Sequence, residues 1–282
     1  MKTFENKLAL VTGGSSGIGQ GLGKKLAAYG ANVWILARRP EQLNTAIKLI
    51  EGARRNDQQK FGILQADVSD RDQVTTVLSD FTKNIGTPDL LINSAGIARP
   101  GLFQELDLDV FRSIIDINYL GTVYVTKAII SGMISRGSGH IVNISSAAGF
   151  IGVYGYTAYG ASKYAVRGFS DVLRAEMKPL GIKVSVVFPS DVETPQLEYE
   201  NQFKPAVTYE LSKTTKTTTP EIVAGIILKG VLRDKYVITP GSETTFLYHL
   251  SNLLGNLVYP VMDMQVSDAI KKSKLAQNRP SH

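Results

Sequence analysis

Leu8-Ala9-Leu10-Val11-Thr12-Gly13-Gly14-Ser15-Ser16-Gly17-Ile18-Gly19 is the stretch that decides the fold. A run of apolar residues stops abruptly at a turn rich in glycine and serine, and a helical pattern begins at once behind it. Glycines there permit a tight turn and a close approach of backbone to a ligand. The helix that follows directs its free N–H groups at an anion. A strand, a glycine turn and a helix in that order open an α/β chain with a phosphate-binding site. The spacing is Gly-x-x-x-Gly-x-Gly, which differs from the Gly-x-Gly-x-x-Gly of the commonest dinucleotide fold. Gly13, Ser15, Ser16, Gly17, Ile18 and Gly19 are therefore candidate cofactor contacts.

The same alternation continues outward from this turn. Short strand-like runs fall at residues 8–12, 33–37, 62–66, 90–93, 140–144, 183–188 and 236–239, several with Val and Ile on consecutive positions. Such continuous apolar runs suit strands buried on both faces. Helix-length patterns lie between them, for example at 19–29, 71–84, 110–135, 158–178 and 220–232. Repeated strand–helix–strand units predict one parallel, doubly wound Rossmann-like α/β sheet of about seven strands, ordered 3-2-1-4-5-6-7, in a single domain. The cofactor is expected at the carboxyl ends of the strands, at the switch point. That domain is predicted over residues 1–243, with a helical extension and basic tail over 244–282.

The chain has 282 residues, of which 43% are hydrophobic and 20% charged, as in globular proteins with a sizeable core. It has no Cys, which excludes thiolate metal sites and thiol nucleophiles. His140, His249 and His282 are scattered without metal-ligand spacing, so no metal is expected. The formal charge is +6, yet no dense basic tract with interleaved aromatics occurs, and no nucleic-acid partner is expected. The N-terminus lacks the apolar core of a signal peptide, and no stretch of about 18 apolar residues suggests a membrane span. A cytoplasmic protein is expected, with peripheral attachment at a membrane surface as a further reading.

Other candidates sit at strand ends. The second strand closes with Ala37-Arg38-Arg39, where an NAD-preferring site would usually carry an acidic residue. Guanidinium groups suit a 2′-phosphate, so Arg38 and Arg39 favour NADP(H). Asp67 and Val68 end the third strand, near the expected adenine. Asn93-Ser94-Ala95-Gly96 ends the fourth, and Asn93, Ala95 and Gly96 are placed along the cofactor. Tyr159 and Lys163 are four residues apart on one helix face, where phenol and ammonium can converge. A nearby cation is expected to lower the tyrosine pKa toward working pH, giving a proton donor for a carbonyl/alcohol pair.

These pieces in this order resemble the short-chain dehydrogenase/reductase family over about residues 5–240. The Asn-Ser-Ala-Gly turn departs mildly from the family's Asn-Asn-Ala-Gly. Asn118, Ser146, Tyr159 and Lys163 match the family's catalytic tetrad. The resemblance implies that Tyr159 donates a proton to the substrate oxygen while hydride arrives from the nicotinamide. It implies that Lys163 holds the nicotinamide ribose and depresses the tyrosine pKa, that Ser146 orients the carbonyl, and that Asn118 holds a water for reprotonation. Pro189 and Thr194 match the family's Pro-Gly-x-x-x-Thr near the nicotinamide amide, with Ser190 in place of the glycine and Val192 between.

Phe188 to Pro195, then Glu200-Asn201, Lys204-Pro205 and Tyr156-Thr157-Ala158-Tyr159, are similar to the 3-ketodihydrosphingosine reductase branch. That branch uses NADPH to reduce the keto group of a long-chain sphingoid base in sphingolipid synthesis. Asp191 and Glu193 are candidates to face the substrate amine. Reduction of another apolar ketone, such as a steroid, retinoid or xenobiotic carbonyl, is the alternative. A non-catalytic NADPH-binding regulator is a remote one, since no tetrad member is missing. The family also implies a dimer or tetramer, through the helices at 110–135 and 158–178.

Two regions break the rhythm. Residues 194–220 are polar and predict a long loop acting as a lid. Residues 246–261 carry Phe246, Leu250, Leu253, Leu257 and Val261 on one side and His249, Asn252 and Asn256 on the other, which predicts an amphipathic helix. That helix is a candidate for substrate, subunit or peripheral membrane contact.

Overall fold

The computed structural model describes residues 1–213 and 216–277. The basic tail beyond residue 277 lies outside the described residues.

In chain order the elements are β1 (Leu8–Thr12), α1 (Gly17–Ala28), β2 (Asn32–Ala37), α2 (Pro40–Glu51), β3 (Phe61–Gln65), α3 (Arg71–Asn84) and β4 (Leu90–Asn93). Then come α4 (Leu108–Ile115), α5 (Gly121–Arg136), β5 (Gly139–Ile144), α6 (Thr157–Met177), β6 (Ile182–Val187), α7 (Pro195–Asn201) and α8 (Ala206–Ser212). The chain continues through α9 (Pro220–Leu232), β7 (Val237–Ile238), α10 (Ser242–Leu254) and α11 (Val258–Gln277). The seven strands form one parallel sheet in the order β3-β2-β1-β4-β5-β6-β7, as the sequence predicts.

Successive strand residues face opposite sides, so each strand serves two cores. Ala9 and Val11 of β1 pack with Leu22 and Leu26 of α1 and Val223 and Ile227 of α9. Leu10 between them packs on the other face with Leu78 of α3 and Val125, Ile129 and Met133 of α5. All these side chains are essentially inaccessible to solvent. Paired burial on both faces explains why the strands read as unbroken apolar runs.

The structure departs from the predicted elements in three places. The helix expected over 110–135 is α4 and α5 joined by a π-turn at Asp116–Leu120. One extra residue in a helical turn leaves the 3.6-residue pattern nearly unchanged in sequence, yet it turns Asn118 inward. The lid expected as a loop contains α7 and α8. Thr194 caps α7 by accepting from Leu197 N–H at 3.2 Å, with Pro195 in the first turn. Each helix has seven residues, too few to show a period.

The single helix expected over 246–261 is broken at Gly255, whose φ of 53° and ψ of −125° suit only glycine. The chain then resumes as α11, which packs on α8. No helix among the described residues is long and apolar enough to cross a membrane.

Candidate active site

A cleft of about 740 Å³ opens at the carboxyl ends of the strands. The turn after β1 forms its floor. Gly13 has φ of 67°, and a Cβ there would lie 2.8 Å from the backbone of Ala95. A Cβ on Gly19 would lie 2.3 Å from the Gly13 carbonyl oxygen, so the helix start folds tightly over the turn. The Thr12 hydroxyl oxygen accepts from the N–H groups of Ser94 and Ala95, both at 3.1 Å. One side chain thus locks the turns after β1 and β4 together at the switch point.

Gly13, Ser15, Ser16, Gly17, Ile18 and Gly19 all line the cleft. So do Arg38, Arg39, Asp67 and Val68 at the ends of β2 and β3, and Ala95 and Gly96 after β4. Arg38 donates to Asp67 Oδ2 at 3.2 Å. Burial opposes ionisation of Asp67, but hydrogen bonds from Ser69 and Arg38 outweigh it and hold the carboxyl below its usual range. A shallow glycine floor, exposed N–H groups at the start of α1 and paired guanidinium groups beyond it fit a dinucleotide.

Asn93 is placed differently from the expectation. It does not line the cleft; its Nδ2 donates to Thr126 Oγ1 at 3.0 Å and Asn143 Oδ1 at 2.9 Å, inside the sheet. β4 carries its side chains alternately to the two faces, and the direction of Asn93 is fixed by the α5 side. Ser94 lines the cleft in its place.

Ser146, Tyr159 and Lys163 line one wall. Ser146 follows β5, and α6 brings Tyr159 and Lys163 one turn apart. Lys163 is buried and its Nζ donates to the Ile144 carbonyl oxygen at 3.0 Å. The Tyr159 phenol is pushed up, not down as the sequence suggested. Loss of solvent is the main cause, and the Glu200 carboxylate adds to it. Hydrogen bonds with Ser146 and Gln196 pull the other way. Lys163 itself is pushed down to about 8 by burial, with Glu200 opposing. Its ammonium lies 5.5 Å from the Tyr159 ring centre and is bonded elsewhere, so desolvation outweighs its pull on the phenol.

Asn118 is buried behind the wall and does not itself line the cleft. Its Oδ1 accepts from Ile97 N–H at 2.8 Å, and its Nδ2 donates to Ile97 O and Ser162 Oγ, both at 2.9 Å. Both amide hydrogens are committed, so the side chain acts by holding the Gly96-Ile97 turn against α6.

Pro189, Val192 and Thr194 line the far side with Asp191. Asp191 faces Lys204 at 3.9 Å. Glu193 points away from the cleft and accepts from Thr217 Oγ1 at 3.0 Å. Among the lining residues that received no role from the sequence are Gln196 and Glu200 of α7. Glu200 is buried; its Oε2 accepts from Tyr156 OH at 2.7 Å and its Oε1 from Gln196 Nε2 at 2.9 Å. Burial raises its pKa, and those two hydrogen bonds oppose the rise. A glutamate in a short polar segment has no sequence signal for burial. Beyond the lid, α10 and α11 extend the cleft with a mixed wall, in which Leu247, Met262, Val266 and Ala269 supply the apolar part beside Glu243, Gln265, Asp268 and Lys272.

The family model described as short chain dehydrogenase matches residues 7–205. The chain is 39% identical over 243 residues to a Danio rerio protein named 3-dehydrosphinganine reductase, covering 86% of this chain and 73% of that one. It is 40% identical over 245 residues to a Bos taurus protein named 3-ketodihydrosphingosine reductase, with the same two coverages. Among solved structures, levodione reductase superposes with a TM-score of 0.78 over 86% of this chain and 99% of that one, at 24% identity, a likeness of fold.

Proposed function

The chain belongs to the short chain dehydrogenase family, and we propose that it uses NADPH to reduce the keto group of 3-ketodihydrosphingosine to the alcohol. It is an oxidoreductase acting on a carbonyl/hydroxyl group with a nicotinamide cofactor. The finer reading of the substrate rests on the two relatives at about 40% identity whose names state that activity. A cleft that runs from Tyr159 to the apolar side chains Leu247, Met262, Val266 and Ala269 of α10 and α11 supports a substrate with a long alkyl chain. Arg38 and Arg39 beside Ala37 support NADPH over NADH.

When bound, the cofactor supplies hydride to the carbonyl carbon. Tyr159 gives its proton to the carbonyl oxygen, so ketone, hydride and proton together make the alcohol. A phenol held protonated by its surroundings is primed for that direction. Ser146 orients the carbonyl beside it. Lys163, with a proton affinity near neutrality, lies on the same helix face and restores the charge balance at the phenolate. Asn118 keeps the Ile97 turn and α6 at fixed separation. Arg38 and Arg39 would hold the 2′-phosphate of the cofactor.

The same proposal includes peripheral contact with lipid through α10 and the start of α11, where Phe246, Leu253, Leu257 and Tyr259 are exposed. Assembly as a dimer or tetramer through α5 and α6 is proposed from family likeness alone.

The direct test is NADPH oxidation with 3-ketosphinganine in mixed micelles, beside NADH and a Tyr159→Phe control. Turnover with NADPH that collapses in the variant supports the reading. Tyr159-dependent reduction of a steroid or simple ketone, with none of the lipid, keeps the enzyme class and overturns the substrate.

A further inference from the structure

Glu200 presents a carboxylate to the cleft, and its hydrogen-bond partners are both neutral. The tyrosine hydroxyl of Tyr156 and the amide of Gln196 occupy one oxygen each, at 2.7 and 2.9 Å. The Glu200 side chain is within a few per cent of full burial, at 8% exposure. A buried carboxylate ordinarily needs a cation beside it, because desolvation is costly and hydrogen bonds from neutral groups offset it only in part. Among the described residues none forms an ion pair with Glu200. The nearest candidate, Lys204, has its side chain buried at 3% exposure and forms its ion pair with Asp191. Lys163 is bonded to the Ile144 carbonyl. At the mouth of α7 Lys204 therefore serves two carboxylates: it pairs with Asp191 and acts on Glu200 only through space, as Lys163 does, and burial still keeps the Glu200 pKa raised.

Its place relative to the chemistry is equally specific. Gln196 donates to Glu200 and hydrogen-bonds with Tyr159, and Tyr156, the other partner, has its ring centre 5.7 Å from that of Tyr159. Glu200 is thus two hydrogen bonds from the phenol that meets the carbonyl oxygen. A cationic group on the carbon next to that carbonyl would reach it.

We propose that Glu200 is the recognition site for a primary ammonium adjacent to the ketone, with Tyr156 and Gln196 holding the carboxylate in position. The proposal rests on the reading above for its substrate, and it moves the amine-facing role from Asp191 and Glu193 to Glu200. The carboxylate provides selectivity: a ketone of the same length without the amine leaves Glu200 uncompensated, and its binding gains nothing from the charge.

The test compares kcat/KM for 3-ketosphinganine and for its desamino analogue, 1-hydroxyoctadecan-3-one, in the same micelles with NADPH. Wild type, Glu200→Gln and Glu200→Asp are measured, with Tm and NADPH affinity as checks on folding. A charge-assisted hydrogen bond lost to a neutral amide predicts a drop of roughly 10–100-fold for the amino ketone. Because the Glu200 carboxylate also acts on Tyr159 and Lys163, Glu200→Gln changes both ketones. The discriminating readout is the ratio of amino to desamino kcat/KM, expected to fall roughly 10-fold or more in Glu200→Gln and to be partly restored in Glu200→Asp. An equal loss on both ketones, or none on the amino ketone, overturns the subsite and leaves Glu200 as a support for α7. Calorimetric binding of octadecylammonium and octadecanol to the NADPH-loaded protein keeps the two readings apart. If the amino ketone is not turned over but the ammonium binds more tightly than the alcohol, and only when Glu200 is present, the substrate reading fails and the subsite stands. Equal binding of both overturns the subsite whatever the turnover.

Discussion

Lys163 gives its ammonium to the backbone carbonyl of Ile144, 3.0 Å away, and stands beside the Tyr159 ring without bonding to its hydroxyl. Burial brings its pKa down to about 8. The cation is therefore present at neutral pH and lost as pH rises through that value. The kcat/KM for ketone reduction is expected to fall on an alkaline limb near pH 8. Lys163→Arg, which keeps its charge, is expected to lower the rate and remove that limb. A pH–rate profile from 6 to about 10 checks both; an unchanged limb in the arginine variant assigns it to another group.

Arg38 and Arg39 are the second test. Arg38 shares Asp67 with the end of β3, and Arg39 precedes α2 on the open side of the cleft. Arg38→Ala with Arg39→Ala is expected to weaken NADPH by roughly 10–100-fold, as charge-assisted contacts to a phosphate are lost. NADH affinity is expected to move by less than about threefold. Fluorescence titration of both cofactors decides this, and an equal loss on both assigns the arginines a role unrelated to the 2′-phosphate.

His140 predicts how the fold responds to acid. It is buried at the start of β5, its Nε2 lies 2.8 Å from Ser185 Oγ, and its Nδ1 has no partner. The Ser185 hydroxyl donates to Lys235 O, so Nε2 carries the hydrogen and donates to Ser185. Burial first, then the N-terminal ammonium and Lys183, bring its pKa from 6.5 down to about 4, with Asp234 opposing. The unfolded chain therefore binds more protons between those values. Stability is expected to fall as pH drops from about 6.5 to 4, by at most ~3 kcal/mol from this residue. Thermal unfolding of His140→Gln against wild type across that range checks it; parallel curves would rule the histidine out.

The lipid-facing proposal has its own variant. Leu253 is 84% exposed, Leu257 69% and Phe246 68%. Leu253→Glu with Leu257→Glu is expected to weaken sedimentation with anionic lipid vesicles by roughly tenfold or more, since two apolar anchors are exchanged for charges repelled by the surface. Turnover of a soluble ketone is expected to stay unchanged. Wild-type protein that stays in the supernatant at low salt overturns lipid contact.

The fold was largely legible because a parallel sheet buried on both faces writes itself as apolar runs, and Leu10 between Ala9 and Val11 shows why. The glycine turn and the Tyr159–Lys163 pair could be placed from spacing, since each is local in sequence, whereas Asn118 and Ser146 were assigned only by resemblance to the family. What stayed hidden depends on direction. Asn93 and Ser94 are neighbours in one turn, and which of them faces the cofactor is set by the packing of Thr126 and Asn143 behind it. Glu193 and Glu200 are two acids of one segment. The bridge between Val192 and Thr218 carries the first away from the cleft, and α7 carries the second inward. The pattern of residues 246–261 indicated one continuous helix, but Gly255 ends it, and the side packed on Phe188 is Leu247 and Tyr248.

α11 begins almost a hundred residues after Lys163, yet its Met262, Val266 and Ala269 close the far end of the same cleft. The proposed proton donor thus lies well before the residues that close the far end of the cleft. Exchanging α8 and α11 together as a unit would retune which ketone enters while every strand, and the redox chemistry mounted on it, stays as it is.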